Sequence, residues 1–187
     1  MLNQYVLISG RRKFRICEIE FYYKEVEGHH KDIYTHAHEL QKSSGKWYQH
    51  GSGLDITCGN DKAYGGILIR ALQELNEEGE EINYIYGPLK SLHILMENFG
   101  SVDKHEITFG LEKVHGGFIT SESVLNATRV GLNPVHDKEM QQKMYRYFIF
   151  PQKPHDRKGE IIASLRGRIE DDKLKELFGW KTLPDPK

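Results

Sequence analysis

The chain has 187 residues, 28% of them charged and 38% hydrophobic, which is the size and composition of one water-soluble domain. No apolar run reaches the length of a membrane span, so a membrane partner is not expected. The formal charge of -1 lacks the positive field that usually grips a duplex, although a local basic face would be compatible with it.

Cys17 and Cys58 are the two cysteines, and they form no CxxC pair. Neither a zinc framework nor a disulfide scaffold is indicated, and a reducing cytoplasmic setting is the expectation. The N-terminal residues 1–13 place an apolar patch before the basic residues, the reverse of a secretory signal.

Residues 4–9 and 13–23 read as two strands around Gly10-Arg11-Arg12. Strict alternation in the second strand puts Ile16, Glu18, Glu20 and Tyr22 on one face. Arg15, Cys17, Ile19 and Phe21 fall on the other, core face. Two carboxylates side by side repel unless solvated, paired or protonated, so at least one is a candidate for a raised pKa. Residues 24–45 read mainly as an irregular loop, and 46–50 and 54–58 as strands joined at Gly51-Ser52-Gly53. The run 66–72 (GILIRAL) is a strand with Arg70 inside it; a buried arginine there needs an anionic partner. Residues 74–81 look like a solvated acidic loop. Pro88 to Phe99 has helical spacing with Gly100 as its stop. Ser121 or Ser123 would cap a short helix through Ala127, and 129–132 leads into a loop at Asn133-Pro134. Residues 144–150 form an aromatic strand, 151–159 a Pro-rich connection, and 160–180 one or two helices. The sum is an α+β fold: a curved, mainly antiparallel sheet, partly open barrel, with a few packed helices. Residues 1–150 would form the main domain, with 151–187 as a helical C-terminal extension packed on it.

Three groups of residues could carry chemistry. His29, His30, Asp32, His36 and His38 are metal-capable types, but their spacing matches no metal motif, and no metal is assigned. Glu20 and Arg70 could be a water-activating carboxylate with its orienting partner, or a structural ion pair. Trp47, Tyr48 and His50 with Tyr22 could stack on a nucleobase, or they are core aromatics.

Taken in order, several stretches resemble the alkyladenine (3-methyladenine) DNA glycosylase family. Residues 15–22 (RICEIEFY) look like that family's R-I-V-E-T-E-A-Y strand, and 35–37 (THA) like its S-H-A. Residues 46–50 look like its Y-V-Y strand and 67–72 (ILIRAL) like V-L-I-R-A-L. Residues 87–90 (GPLK) resemble G-P-x-K-L, and 129–132 (RVGL) resemble R-V-G-V. Residues 145–149 (YRYFI) are similar to L-R-F-Y-V. The match spans roughly residues 13–150.

The resemblance implies hydrolysis of the N-glycosidic bond of a damaged, alkylated or deaminated purine flipped out of DNA, with no cofactor. By position, Glu20 would be the general base, with Arg70 and the Val130 carbonyl holding the attacking water. Tyr22 and His36 would contact the flipped base, His50 would stack on it, and Glu18 would be a supporting residue. A monomer acting on damaged duplex or single-stranded DNA follows as the expectation.

The departures are specific. The family has a longer part before the first matching strand, and its R-N-x-x-M and Pro-Gly segments have no equivalent after His36. Its wedge tyrosine falls where this chain has His50-Gly51-Ser52-Gly53, and neither glycine nor serine can fill a base gap. Asp55 stands where the family has its base-screening asparagine, which predicts a different base preference. The alternative is therefore a pocket protein on the same fold that binds or hydrolyses a nucleoside or other small ligand. A basic face for DNA would draw on Arg11, Arg12, Lys13, Lys42, Lys46, Arg129, Lys143 and Arg146.

Overall fold

A computed structural model describes residues 1–97, 103, 107–133 and 135–184. Phe99 and Gly100, the expected helix stop, and Pro134 lie outside the described residues. The fold is α+β, a curled antiparallel half-barrel sheet with a few helices.

The sheet is built on two long central strands, β2 (Arg12–Glu25) and β5 (Ala63–Leu75). They pair antiparallel from Lys13↔Leu75 to Glu25↔Ala63. One edge of β5 takes β4 (Gly53–Cys58) near its start and β6 (Glu81–Tyr86) near its end. β3 (Ser44–His50) continues the sheet beyond β4. The free edge of β2 is shared by β1 (Tyr5–Ser9) and β9 (Arg146–Phe148). β7 (Phe109–Lys113) pairs with β1, and β8 (Leu125–Ala127) pairs with β9.

The alternation predicted for the second strand is broken by a bulge at Cys17, where the β2–β5 register shifts between Ile16 and Ile19. An extra residue at a bulge inverts the facing of everything before it. Phe14 and Ile16 therefore share the core with Cys17 and Ile19. Ile16 does not flank Glu18, as strict alternation had it. Arg15 leaves the core face and donates to the Leu2 carbonyl and to Asn3. Glu18, Glu20 and Tyr22 still share one side: Arg70 donates to both carboxylates and Tyr22 donates to Glu20.

Three further expectations are corrected. The acidic loop expected over 74–81 narrows to the turn 76–80, since Glu74 lies on β5 and Glu81 on β6: Asn76 Oδ1 accepts from the Glu78 and Glu80 amides. The helix expected before Ala127 is strand β8, since pairing with β9 outweighs local capping propensity there. A five-residue helix α2 (Lys138–Gln142), capped by Asp137 through the Met140 amide, lies where no element was expected.

Helix α1 (Pro88–Met96) begins where the Gly-Pro step placed it. Gly87 takes φ 95, a left-handed value that favours glycine, and its amide donates to the Arg70 carbonyl at 2.8 Å. That bond ties the start of α1 to the middle of β5. Helices α3 (Lys158–Leu165) and α4 (Asp171–Phe178) form a second core with Ala127 and Phe148. Ile161, Ile162, Leu165, Leu174 and Phe178 are the buried residues of these helices. Among the described residues no helix is long and apolar enough to cross a membrane.

Candidate functional site

The sheet curls around a cavity of about 670 Å³. Its wall is built by Tyr22 of β2, Asp55 of β4, Arg70 of β5 and the start of α1. Loops bring Tyr34, His36, Val130 and Asp156 to the same space.

Glu20 is fully buried and lies directly behind this wall, held by three groups that line it. The Tyr22 hydroxyl donates to Glu20 Oε2 at 2.8 Å, and Arg70 Nη1 donates to the same oxygen at 3.1 Å. The Val130 amide donates to Oε1 at 3.2 Å. The expected contact through the Val130 carbonyl is thus an amide contact to the carboxylate itself. An ionised carboxylate has about four acceptor sites. Among the described residues, two donors meet Oε2 and one meets Oε1. Burial and the neighbouring Glu20 push the Tyr22 phenol well above its usual range, so it stays a donor.

Glu18 points the same way but does different work. Arg70 Nε donates to Oε1 at 2.9 Å, and Arg146 Nη2 reaches the same oxygen at 2.6 Å. His155 Nδ1 lies 2.5 Å from Oε2. Burial raises the Glu18 pKa, but the His155 hydrogen bond and the charges of Arg146, His155 and Arg70 outweigh it and hold the carboxyl below its ordinary value. The upward shift expected from two adjacent carboxylates does not occur at Glu18, because the cations sit between them. Burial lowers the Arg70 pKa, yet the charges of Glu20 and Glu18 raise it overall, so the guanidinium is permanently charged.

Arg70 also donates to Asp156 Oδ2 at 2.8 Å through Nη2. One guanidinium therefore binds three carboxylates, at Glu18, Glu20 and Asp156. His155 Nε2 faces the Phe150 carbonyl at 3.1 Å, so both ring nitrogens face acceptors. Arg70 and Arg146 thus sit among the carboxylates of Glu18, Glu20 and Asp156.

Arg129 is buried and pairs with Asp32 through Nη1 at 2.6 Å and Nη2 at 3.2 Å. Its guanidinium stands over the Tyr22 ring at 4.6 Å and over Tyr34 at 5.6 Å. It also donates to the Phe21 carbonyl, so it locks the Tyr22 side of the cavity to β2. Arg129 and Arg146, both buried, cannot supply a basic outer face as expected. Lys90 and Arg157 join Arg70 as cations that line the cavity.

On the far wall His50 Nε2 lies 2.9 Å from Asp55 Oδ1, and His36 meets the His50 ring edge-on at 4.3 Å between centroids. Burial and the neighbouring His50 lower the His36 pKa, so the ring is neutral at neutral pH. The expected aromatic group is split by strand alternation. Tyr48 stays on the His50 face and stacks on His38, whereas Trp47 turns away and packs on Phe109. The loop histidines also part company. His30 bonds the Tyr145 hydroxyl, and His38 caps the 3-10 turn Glu39–Lys42 through the Leu40 amide. Among the described residues no group of three or more His, Cys, Asp or Glu is placed to hold a metal.

The structure thus brings Glu18, Glu20, Tyr22, Arg70 and Val130 together on one side, and His36, His50 and Asp55 on the other. His155 and Asp156 are the participants sequence reading missed. They lie in the Pro-rich connection, with no local pattern to mark them, and His155 is 137 positions from Glu18.

No family model matches this sequence. The chain is similar to "Uncharacterized protein L759" of Acanthamoeba polyphaga mimivirus, at 30% identity over 195 residues, covering 84% of this chain and 86% of that protein.

Proposed function

The chain belongs to the same family as that mimivirus protein, and we propose that it is a monofunctional DNA glycosylase. It would hydrolyse the N-glycosidic bond of a damaged purine, with Glu20 activating water. The observation that carries this is the holding of Glu20: a buried carboxylate fixed by three donors that themselves line the adjoining aromatic-walled cavity. A general base needs a fixed orientation and reach to a single water, and this arrangement supports both. Hydrolysis passes through an oxocarbenium-like sugar, which the carboxylates of Glu20 and Asp156 would favour. The cavity is large enough for a purine, and Tyr22, Tyr34 and His36 offer ring faces and edges to it. The ordered resemblance to the alkyladenine glycosylases supports the same reaction and the same fold, and the expected partner is damaged duplex or single-stranded DNA.

A second reading, a nucleoside-level pocket protein, is favoured by the β3–β4 hairpin tip. Gly51 and Ser52 are exposed there and offer no side chain that could replace an extruded base. The test is base release from matched oligonucleotides carrying hypoxanthine, ethenoadenine or 7-methylguanine, single- and double-stranded, beside the corresponding free nucleosides. Abasic sites in DNA support the glycosylase. Turnover or binding of nucleosides alone supports the second reading, and the absence of both release and nucleoside binding contradicts both readings.

A further inference from the structure

The orientation of Glu20 is only as fixed as the Arg70 fork that holds it. A guanidinium is planar and rigid, so contacts at two of its nitrogens fix where the third points. Arg70 Nη1 meets Glu20 at 3.1 Å, Nε meets Glu18 at 2.9 Å, and Nη2 meets Asp156 at 2.8 Å. Glu18 and Asp156 therefore aim the hydrogen bond that Glu20 receives. Both depend on one short segment of chain. Glu18 Oε2 is held by His155 Nδ1 at 2.5 Å, and the Asp156 carbonyl accepts from Arg146 Nη2 at 2.8 Å. Arg146 Nη2 also meets Glu18 Oε1 at 2.6 Å, so the consecutive residues 155 and 156 are tied to the same carboxylate.

The segment 150–157 is held in place from outside the main core. It starts and ends at residues with left-handed backbone, Phe150 at φ 56 and Arg157 at φ 53. Non-glycine residues keep that conformation only where surrounding contacts enforce it. Those contacts come from the second core. The Lys158 ammonium donates to the Gln152 and Lys153 carbonyls and to the Phe178 carbonyl at the end of α4. The His155 ring meets Phe148 edge-on at 5.0 Å between centroids, and Phe148 packs with Phe178 in that core. His155 Nε2 lies 3.1 Å from the Phe150 carbonyl, across the segment's own start. His155 is buried and is not among the described residues that line the cavity, whereas Asp156 is.

We infer that His155 is a positioning residue for the chemical step: through Glu18 and Arg70 it aims Glu20, and helices α3 and α4 serve the site by holding it there. This rests on the reading that Glu20 activates water. The segment lies beyond the stretch that resembles the alkyladenine glycosylases, so it gives the C-terminal residues of this chain a part in the reaction. Because His155 stays outside the cavity, its loss should change the rate of the chemical step and leave binding alone.

The experiment is single-turnover base release from a 7-methylguanine duplex by the full chain, beside its dissociation constant for that duplex. His155→Phe keeps a flat ring and removes the nitrogen that meets Glu18. It should release base at least about tenfold more slowly, with a dissociation constant within about threefold of wild type, since a small misplacement of a reacting group costs rate and not affinity. His155→Asn, whose amide nitrogen can stand where Nδ1 does, should recover to within about threefold of the wild-type rate. Placed on Glu20→Gln, His155→Phe should slow release no further, because residues that act as a unit are not additive. A wild-type rate in folded His155→Phe beside a slow Glu20→Gln overturns the inference and leaves the reading of Glu20 intact. The same loss on both backgrounds overturns the coupling to Glu20 and makes His155 structural. Release by Glu20→Gln at the wild-type rate, or no release by wild type, overturns the reading and the inference with it. Should His155→Phe melt below the assay temperature, His155→Gln, whose amide reaches the Phe150 carbonyl and not Glu18, replaces it with the same expected and overturning results.

Discussion

Glu18 and Glu20 are two positions apart on one face of one strand, and the structure gives them different work. Glu18→Gln tests that division on the stability side. Glu18 accepts from Arg70, Arg146 and His155, and it and Arg146 are essentially inaccessible. Replacing the carboxylate leaves Arg146 facing a neutral amide, with its Nε and Nη1 already lacking partners. Breaking one side of a buried ion pair costs about 3–5 kcal/mol. For a chain of this length each kcal/mol moves the midpoint by about 2–4 °C, so a drop of roughly 6–20 °C is expected. The pH dependence gives an independent sign. The folded Glu18 carboxyl titrates below its ordinary value. Its contribution is then fully present above the unfolded carboxylate pKa, near 4.3, and is lost as pH falls through the depressed folded value. Thermal denaturation at pH 7 and at steps below pH 5 measures both effects. The gap between wild type and Glu18→Gln should be widest at pH 7 and should narrow toward acid. A midpoint change under about 2 °C, or a gap that widens toward acid, would refute the buried-cluster account of Glu18.

Four other outcomes follow from the same geometry. Asp32→Asn should destabilise by about 3–5 kcal/mol, read by chemical denaturation, because it leaves the fully buried Arg129 guanidinium without its counter-ion. Asp156→Asn should slow base release about tenfold with little change in KM or midpoint, since the lost contact to Arg70 is partly solvated, with 42% of the Asp156 side chain exposed. A parallel fall in stability and rate would make Asp156 merely structural. Gly66→Ala should abolish nucleoside binding in calorimetry, because its Cβ would lie 2.3 Å from Asp55 Oδ2 and 2.9 Å from Gln41 Nε2. Burial pushes the Cys58 thiol up to about 11 and raises the buried Cys17 thiol further, so neither should react readily with a disulfide reagent at pH 8 until the chain is denatured.

The long strands were legible because their signal is local and repeated. β2 and β5 carry the most sustained apolar pattern, and Pro88 and Gly87 mark the start of α1 by chemistry that only they supply. The bulge at Cys17 was not legible: alternation gives the facing on either side of a bulge but not its position. The odd arginine in an apolar strand was a sound pointer to carboxylate partners, and Glu18 and Glu20 supply two of them. The third, Asp156, comes from the other end of the chain, where nothing local distinguishes a surface aspartate from a site residue. Arg129 and Arg146 show the same limit from the other side. Their charge suggested a surface, and only the tertiary placement of Asp32 and Glu18 explains why they are buried.

The central claim is that Glu20 activates water for cleavage at a bound purine. Single-turnover base release from a 7-methylguanine duplex, comparing wild type with a Glu20→Gln protein of matched midpoint, tests it most directly. A general base contributes about 10²–10⁴-fold, so release by Glu20→Gln should fall by at least a hundredfold with DNA binding retained. Release by Glu20→Gln within a few fold of wild type would contradict the account.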